Sequence, residues 1–369
     1  MSIAASLLAK LERQTEDYTW IHTNAGGLHL QAVRHLLTLS LAIATAASAF
    51  AQGSTEFSSQ GLSRRDFRSV ACTGFYATAS FKCAPITVPG YVATASDGKQ
   101  KALVFISHGS GGLDRRHGDY ARYLAAKGFD AVVLDHWSAR GVSKAHLDYN
   151  AARAKGADAQ NMAIDALAAA AQLIQEDNWK RARFGFLGES MGGSAAINVT
   201  RAYIEKIVED QLNLPVFGVP QVTASVALYP GCIDRNTVER FKTIPLLILQ
   251  GEKDDQMNTG QCERQAQWMN DRGGRAKYAT LPGEHHDFDA PYRLVHSPKA
   301  QNPSRCENVR EGNRFTLLAT AKQYAATPQG LNEMREACFT RGLWSGNQGN
   351  AQAGYEEWAK FFTEQLLKQ

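Results

Sequence analysis

From Lys101 onward, short apolar runs alternate with longer helical segments, and this alternation constrains the fold more than any other feature of the sequence. The apolar runs are rich in β-branched and aromatic residues, as strands of a buried sheet are. The predicted strands are 102–106, 129–134, 183–187, 222–229, 245–250 and 276–281. The predicted helices are 120–127, 158–175, 195–208, 261–271 and 355–367. Strands that alternate with helices indicate an α/β fold, in which a mostly parallel sheet is covered by helices on both faces.

The same pattern predicts where a site lies and how the domain is organised. Right-handed crossovers bring the carboxyl ends of the strands to one edge, where such sheets bind ligands. Residues 53–100 are predicted to be a β-rich beginning of the same domain. Residues 291–350 interrupt the alternation, and we interpret them as a long insertion that is pinned by a disulfide or lines the site. Residues 52–369 are therefore predicted to form a single domain.

The segment from Val33 to Ala51 has the layout of a secretory signal peptide. A basic residue, Arg34, precedes a 16-residue apolar run that closes on an A-x-A sequence ending at Ala51. This predicts export, with a mature start near Gln52. A membrane span needs about 20 apolar residues, so cleavage rather than a stable membrane anchor is expected.

Residues 1–32 fit a signal peptide poorly, because they include Glu12, Glu16 and Asp17. We hypothesise that translation starts at Val33 and that residues 1–32 reflect a misassigned start. The alternative is a natural long leader that spans residues 1–51. Peptide mapping of the unprocessed protein distinguishes the two, because only a long leader yields peptides from residues 1–32.

Six cysteines remain after the predicted cleavage point, and an even number in an exported chain indicates disulfides. Six cysteines allow 15 connectivities. Proximity in the sequence favours the pairs Cys72–Cys83, Cys232–Cys262 and Cys306–Cys338. No pair has the spacing of zinc ligands, so structural disulfides are predicted rather than a metal site.

Composition is that of an ordinary globular enzyme. The chain is 44% apolar and 21% charged, with a formal net charge of +4. It contains no dense run of Lys and Arg, so nucleic acid is not an expected partner.

A G-x-S-x-G motif follows the predicted strand 183–187. It reads Gly188-Glu189-Ser190-Met191-Gly192 and precedes a helix-forming stretch. This strand–turn–helix setting leaves the serine hydroxyl exposed at a helix N-terminus. The helix dipole and free N–H groups there favour a developing negative charge. Ser190 is the predicted nucleophile, and a glycine-rich turn with a capping serine is the alternative.

A serine nucleophile needs a base, and the base needs an acid that orients it. Asp254 and Asp255 follow one later predicted strand, and His285 and His286 follow the next. Both pairs lie at the predicted carboxyl edge in the order Ser, Asp, His. The residues alone do not separate the members of either pair. Three adjacent ligands in His-His-Asp do not match a closed zinc site, so no metal is predicted.

An oxyanion hole requires two backbone N–H donors. One is predicted at Met191, the residue after the nucleophile. The other is predicted in the loop 107–112, which reads S-H-G-S-G-G, because glycines let the backbone approach a substrate oxygen. The loop could also be a phosphate cradle, but no G-K-[ST] follows it.

Four motifs together resemble the dienelactone hydrolase branch of the α/β hydrolases. They are S-H-G-S-G-G, G-E-S-M-G-G, L-Q-G-E-K-D-D and L-P-G-E-H-H-D-F-D, and the resemblance covers roughly residues 100–290. It implies the α/β-hydrolase fold, Asp254 as the triad acid, His286 as the base and the Ser110 N–H as the second oxyanion donor. One departure is that this branch uses a cysteine nucleophile where Ser190 stands here.

These motifs predict an exported enzyme that hydrolyses a small-molecule carboxylic ester through an acyl-enzyme, without a cofactor. The serine nucleophile and the predicted export both argue against dienelactone as the substrate. A peptidase or amidase with the same triad is one alternative. A non-catalytic exported binding protein on a hydrolase scaffold is another. The complete set of nucleophile, base, acid and oxyanion loop favours the enzyme.

His136 and Trp137 follow the predicted strand 129–134 at the same edge of the sheet. They are predicted to bind substrate, with a structural role as the alternative.

Overall fold

The computed structural model describes residues 55–75, 81–95, 102–212 and 222–368. The leader (1–32), the signal peptide (33–51) and the cleavage point near Gln52 lie outside these residues and stay predictions. Within the described ranges, no helix combines the length and hydropathy that crossing a bilayer requires.

An eight-stranded sheet forms the centre of the fold. The strands of the main body are β1 (Ser63–Thr73), β2 (Lys82–Ala93), β3 (Ala102–Ser107), β4 (Asp130–Leu134), β5 (Arg183–Glu189), β6 (Val222–Leu228), β7 (Asp234–Asn236), β8 (Pro245–Gly251) and β9 (Arg275–Leu281). All except β7 join this sheet, in the order β1-β2-β4-β3-β5-β6-β8-β9. β2 is antiparallel to both its neighbours, and the strands from β4 to β9 pair in parallel. This is the α/β-hydrolase fold, and the fold prediction is confirmed.

Burial on both faces of the sheet explains why the central strands could be predicted from the sequence. Every residue of β3 and β4 is buried, and so is nearly all of β5, β6 and β8. A strand covered on both sides is apolar along its whole length rather than in alternation. Each of the six predicted strands matches an observed strand to within two residues at both ends, including β9, a partly exposed strand at the edge of the sheet.

Helices cover both faces of the sheet. They are α1 (Arg115–Ala126), α2 (Tyr149–Ala154), α3 (Ala159–Leu173), α4 (Met191–Asn198), α5 (Ala202–Leu212), α6 (Thr259–Asn270), α7 (Pro328–Cys338) and α8 (Tyr355–Phe362). One apolar core lies between the sheet and helices α3 to α6, and a second lies between the opposite face and helices α1 and α8. A π-helical turn, Thr363–Leu367, completes the predicted last helix.

The single helix predicted over 195–208 is wrong, because the structure has two helices there. α4 ends at Asn198, and Thr200 turns its hydroxyl back onto the Ile197 carbonyl at 2.7 Å. Arg201 then pairs with Phe241 in an isolated bridge. This contact with a distant segment separates α4 from α5. The local hydrophobic periodicity of the sequence does not indicate such a contact.

The insertion has regular structure of its own. It contains β10 (Val295–Asn302), β11 (Asn308–Glu311), β12 (Arg314–Leu317), β13 (Gln323–Ala325), α7 and β14 (Thr340–Ser345). β10 pairs with β14, and β11 joins β12, β13 and the main-body strand β7 in a four-stranded sheet. A small apolar core around Phe315 and Leu331 includes the Cys306–Cys338 disulfide. The insertion is therefore anchored to the main body through β7.

Three disulfides join the pairs that sequence proximity favoured. Cys72–Cys83 links opposite residues of β1 and β2. Cys232–Cys262 ties the segment after β6 to α6, and Cys306–Cys338 closes the insertion. Disulfides of this kind persist in oxidising compartments, so they are compatible with export.

Candidate active site

Ser190 lies on the sharp turn between β5 and α4, with φ 50° and ψ −109°. A non-glycine residue at positive φ is strained, and the surrounding backbone must hold it. The Ser190 N–H donates to the Leu228 carbonyl at 2.9 Å. The flanking glycines are a steric requirement: a Cβ on Gly188 would lie 2.0 Å from the Gly192 oxygen, and a Cβ on Gly192 would lie 2.2 Å from the Ser107 oxygen.

His286 contacts both Ser190 and Asp254. Its Nε2 lies 3.2 Å from Ser190 Oγ, and its Nδ1 lies 3.0 Å from Asp254 Oδ2. His286 and Asp254 are buried, whereas Ser190 is half-buried. The three residues meet because each follows a parallel strand whose carboxyl end lies at the same edge. This is the arrangement of a nucleophile, a base and an orienting acid.

The neighbouring candidates, Asp255 and His285, point away from Ser190. The Asp255 carboxylate accepts the backbone N–H of Trp344, at 3.1 and 3.2 Å. The His285 ring lies beside the Trp344 ring, with centroids 6.2 Å apart. The structure therefore brings Asp254 and His286 to the serine.

The Asp254 carboxylate is held by its own loop. Oδ1 accepts the backbone N–H groups of Gln256 and Met257, each at 3.0 Å, and Oδ2 faces His286. Burial opposes protonation of His286, but the charge and hydrogen bond of Asp254, with smaller contributions from Asp287 and Glu189, raise its pKa to about 9. The site thus favours the imidazolium form of His286.

The two predicted oxyanion donors, the Met191 and Ser110 N–H groups, both border the cavity beside Ser190. Met191 is the first residue of α4, so its N–H has no partner within the helix. Ser110 belongs to the loop after β3, and among the described residues nothing accepts its N–H. The Ser110 carbonyl is fixed by the Ala145 N–H at 2.8 Å.

Glu189 connects the turn at Ser190 to the loop after β3. Its buried carboxylate accepts the Gly109 N–H, so the residue before Ser190 holds the residue before Ser110. A Cβ on Gly109 would lie 2.5 Å from the Glu189 carboxylate, which explains the glycine. His117 Nε2 lies 3.4 Å from Glu189. Burial opposes protonation of His117, but Asp114 and Glu189 raise its pKa to about 9, so it is cationic at neutral pH and balances the buried carboxylate.

Arg116 links the buried carboxylates behind His286, and no role was predicted for it. Its guanidinium donates to Asp114 at 2.8 Å and to Asp287 at 2.9 Å, and it lies 3.4 Å from Asp289. Asp287 has φ 57°, and this strained residue directly follows His286. Burial opposes ionisation of Asp287, but Arg116 and His286 lower its pKa. The acidic residues directly after the histidine were the available signal in the sequence.

A cavity of about 590 Å³ opens beside Ser190. Ser110, Ser190, Met191 and His286 line one end of it. Helices α2 to α6, the chain around Phe75 and the insertion form the rest of the wall. The main body contributes residues such as Tyr149, Arg153, Tyr203 and Gln265. The insertion contributes Arg310, Phe315, Leu331, Arg335 and Phe339. In the part of the chain that the structure describes, no group of three or more His, Cys, Asp or Glu side chains is arranged to hold a metal ion.

The structure does not place His136 and Trp137, the predicted substrate-binding residues, at the cavity, because both side chains are buried and neither borders it. His136 Nδ1 lies 2.7 Å from Asp165, and its Nε2 lies 2.9 Å from Ser107 Oγ. Asp165 is a fully buried carboxylate that requires donors, and it draws the histidine ring under the β3 loop. Trp137 Nε1 points at the Ser110 carbonyl at 3.4 Å. Both side chains therefore contact the loop 107–112, His136 at Ser107 and Trp137 at Ser110.

Comparisons with known proteins give one family model and several solved structures to which the chain is similar. A family model described as "Serine aminopeptidase, S33" matches residues 98–230, which is less than half of the chain. Esterase 2 from Thermogutta terrifontis is 15% identical with a TM-score of 0.42, covering 63% of this chain and 86% of the esterase. A putative dienelactone hydrolase from Klebsiella pneumoniae is 17% identical with a TM-score of 0.42, covering 63% of this chain and 90% of that protein. Similarity at this level does not extend to the substrate, and the dienelactone hydrolase resemblance stays a prediction. No curated protein matches the chain.

The close backbone approach at Gly192 gives the first prediction. Gly192→Ala places a Cβ against the Ser107 carbonyl, and we expect it to reduce the free energy of unfolding by about 3 kcal/mol, as overpacking does. The matched control is Gly111→Ala, because a Cβ there meets nothing within 4 Å. Urea denaturation measures both. Equal stability of the two variants would contradict the steric account of the turn.

The second prediction concerns the charge that acts on His286. Asp254→Asn removes the main cause of the raised pKa, so the pKa should fall from about 9 to 6.5 or below. Asp255→Asn is the control, since Asp255 contacts Trp344 instead. NMR titration of the imidazole measures the pKa in each variant. The electrostatic assignment fails if Asp254→Asn leaves the pKa of His286 unchanged, or if both variants shift it equally.

Proposed function

We propose that this protein is an exported serine hydrolase that cleaves a carboxylic ester through a covalent intermediate on Ser190. The observation that carries the proposal is the position of His286, 3.2 Å from Ser190 Oγ and 3.0 Å from Asp254 Oδ2. The cavity beside Ser190 gives a small ester a place to bind.

The first half of the proposed reaction forms the acyl-enzyme. Ser190 Oγ attacks the ester carbonyl carbon while His286 Nε2 takes the hydroxyl proton, and the carbonyl electron pair moves to oxygen. Asp254 keeps the other ring nitrogen protonated and stabilises the imidazolium. The Met191 and Ser110 N–H groups donate to the oxyanion. Collapse of the intermediate expels the alcohol, which receives its proton from His286.

The second half hydrolyses the acyl-enzyme. His286, now neutral, takes a proton from water as the water oxygen attacks the acyl carbon. The tetrahedral intermediate then expels Ser190 Oγ, which regains its proton from His286, and the acid leaves. The chain, the substrate and water supply every proton and electron pair, so these steps require no cofactor.

Export is supported by two independent features. The sequence from Val33 to Ala51 has the layout of a signal peptide, and the described part of the chain contains three disulfides. Disulfides are rare in reducing compartments. We therefore propose a periplasmic or extracellular location.

A peptidase acting through the same triad is the second candidate, and the aminopeptidase family model supports it. An aminopeptidase must bind a substrate ammonium group, for which carboxylates are suited. The cavity wall instead contains six arginines, Arg153, Arg201, Arg235, Arg240, Arg310 and Arg335, against three acidic residues, Asp158, Asp234 and Glu239. This excess of positive charge favours the ester hydrolase over the aminopeptidase.

The third prediction tests the proposal with mature protein and a panel of short-chain p-nitrophenyl esters and p-nitroanilides. Wild type should turn over the esters and take up a serine-reactive phosphonate at Ser190. Ser190→Ala should lose at least about 10⁴-fold in kcat, because removing the nucleophile disables the whole triad. Ser194→Ala, which changes a second serine of the cavity wall, should still be labelled at Ser190.

Each contrary outcome identifies a different function. Faster turnover of the anilides than of the esters would support the peptidase. Absence of both turnover and label would contradict catalysis and support a non-catalytic binding protein.

A further inference from the structure

A group of arginines lines the cavity that opens beside Ser190. Arg153 from α2, Arg310 from β11 and Arg335 from α7 all border it. The guanidinium carbons of Arg153 and Arg310 lie 5.3 and 5.2 Å from the centre of the Phe75 ring. Two of these three arginines, Arg310 and Arg335, belong to the insertion. We call Arg153, Arg310 and Arg335 the arginine cluster.

Within the part of the chain that the structure describes, the arginine cluster has no ion pair, whereas Arg201 and Arg235 of the same cavity wall each have one. Arg201 lies 3.2 Å from Glu239, and Arg235 lies 2.5 Å from Glu307. Among the described residues, no carboxylate lies within 4 Å of a side-chain nitrogen of the arginine cluster. Its positive charge is therefore not neutralised by direct contact with protein carboxylates.

Arg335 is the member of the arginine cluster whose unpaired charge and unsatisfied hydrogen-bond donor are clearest. Its Nη1 is buried and has no hydrogen-bond acceptor among the described residues. Burial and the neighbouring charge of Arg153 lower the pKa of Arg335. A buried donor without an acceptor is costly, and so is a second cation beside it. An anion bound beside Arg335 would remove both costs, because it would accept a hydrogen bond from Nη1 and neutralise the neighbouring positive charges.

Two acidic residues of the wall, Asp158 and Asp234, lie close enough to influence Arg335 without pairing with it. Asp158 accepts the Asn161 N–H at the start of α3, and Asp234 accepts the Asn308 side-chain amide at 2.7 Å. They reduce the local positive charge but leave the buried Arg335 Nη1 without an acceptor.

We propose that the arginine cluster binds an anionic group of the substrate, with carboxylate as the class tested, while the scissile ester lies at Ser190. Guanidinium groups match carboxylates geometrically and bind them with charge-assisted hydrogen bonds. Phe75 and Phe315 also line the cavity, with ring centroids 5.5 Å apart, and provide apolar contact beside the arginine cluster. The proposal deepens the proposed function and rests on it for the scissile end.

The test compares mono-4-nitrophenyl glutarate with its methyl ester, which has the same scissile bond but no negative charge. Wild type should prefer the carboxylate in kcat/KM by about tenfold to a hundredfold, the range expected for hydrogen bonds to a charged group. 4-Acetoxybenzoate and its methyl ester place the carboxylate on the alcohol side. The pair with the larger preference identifies which part of the substrate reaches the arginine cluster.

Arg335→Gln should abolish most of this preference, because it should lower kcat/KM for the charged ester far more than for its neutral methyl ester. Arg153→Gln should act in the same direction. The matched control is Arg305→Gln, an exposed arginine of the insertion, which should keep the full preference. Added salt should reduce the wild-type preference, because ionic screening weakens charge attraction. Circular dichroism and thermal unfolding confirm that each variant folds.

Two outcomes would overturn the arginine cluster as an anion site. One is equal turnover of the charged and neutral members of both pairs by wild type. The other is an equal loss of turnover on charged and neutral esters in Arg335→Gln and Arg153→Gln.

A binding experiment tests the anion site independently of ester hydrolysis. Ser190→Ala is titrated by calorimetry with glutaric acid monoanilide and with its methyl ester. Preferential binding of the acid that is lost in Ser190→Ala/Arg335→Gln supports the anion site even if no ester is hydrolysed. Equal affinity for the acid and its methyl ester overturns the anion site even if esters are hydrolysed.

Discussion

The close contact between the Ser190 turn and the loop after β3 is the constraint on which the rest of the site depends. Gly192 lies against the carbonyl oxygens of Ser107 and His108 so closely that no side chain fits between them. This contact brings the nucleophile and the predicted oxyanion donor Ser110 to one point. It also requires the positive φ of Ser190, because only a sharp turn brings the start of α4 so near to β3. The strain at Ser190 is the consequence of placing both groups together.

Buried charge holds the remaining parts in place. Glu189 fixes the loop after β3 through the Gly109 N–H, and Arg116 fixes the loop that carries His286 through its ion pair with Asp287. Taking charges out of water is costly, so each buried carboxylate must have donors or a cation beside it. These requirements couple the turn at Ser190, the start of α1 and the histidine loop into one network. On the wall of the cavity beside Ser190, the arginine cluster carries positive charge with which no carboxylate of the described residues pairs.

Local patterns in the sequence predicted the elements and residues whose environment is set locally. The strands were predictable because burial on both faces makes them apolar along their length, and the G-x-S-x-G turn was predictable because its glycines are sterically required. The break between α4 and α5 depends on Phe241, and the inward turn of His136 depends on Asp165. The sheet of the insertion depends on β7, which precedes it by about seventy residues. These contacts join distant segments, and a single sequence does not reveal such pairings.

The central claim is that His286 acts as the base for Ser190, and the pH dependence of kcat/KM tests it most directly. The measurement uses a neutral p-nitrophenyl ester, with the rate of Ser190→Ala subtracted to remove spontaneous hydrolysis. The base must be neutral to accept the serine proton, so kcat/KM should rise with pH and level off above the pKa of His286, about 9. The midpoint should coincide with the His286 pKa obtained by NMR. A pH profile that is flat from about pH 6 to about pH 10, or a midpoint that does not follow the titration of His286, would contradict the account.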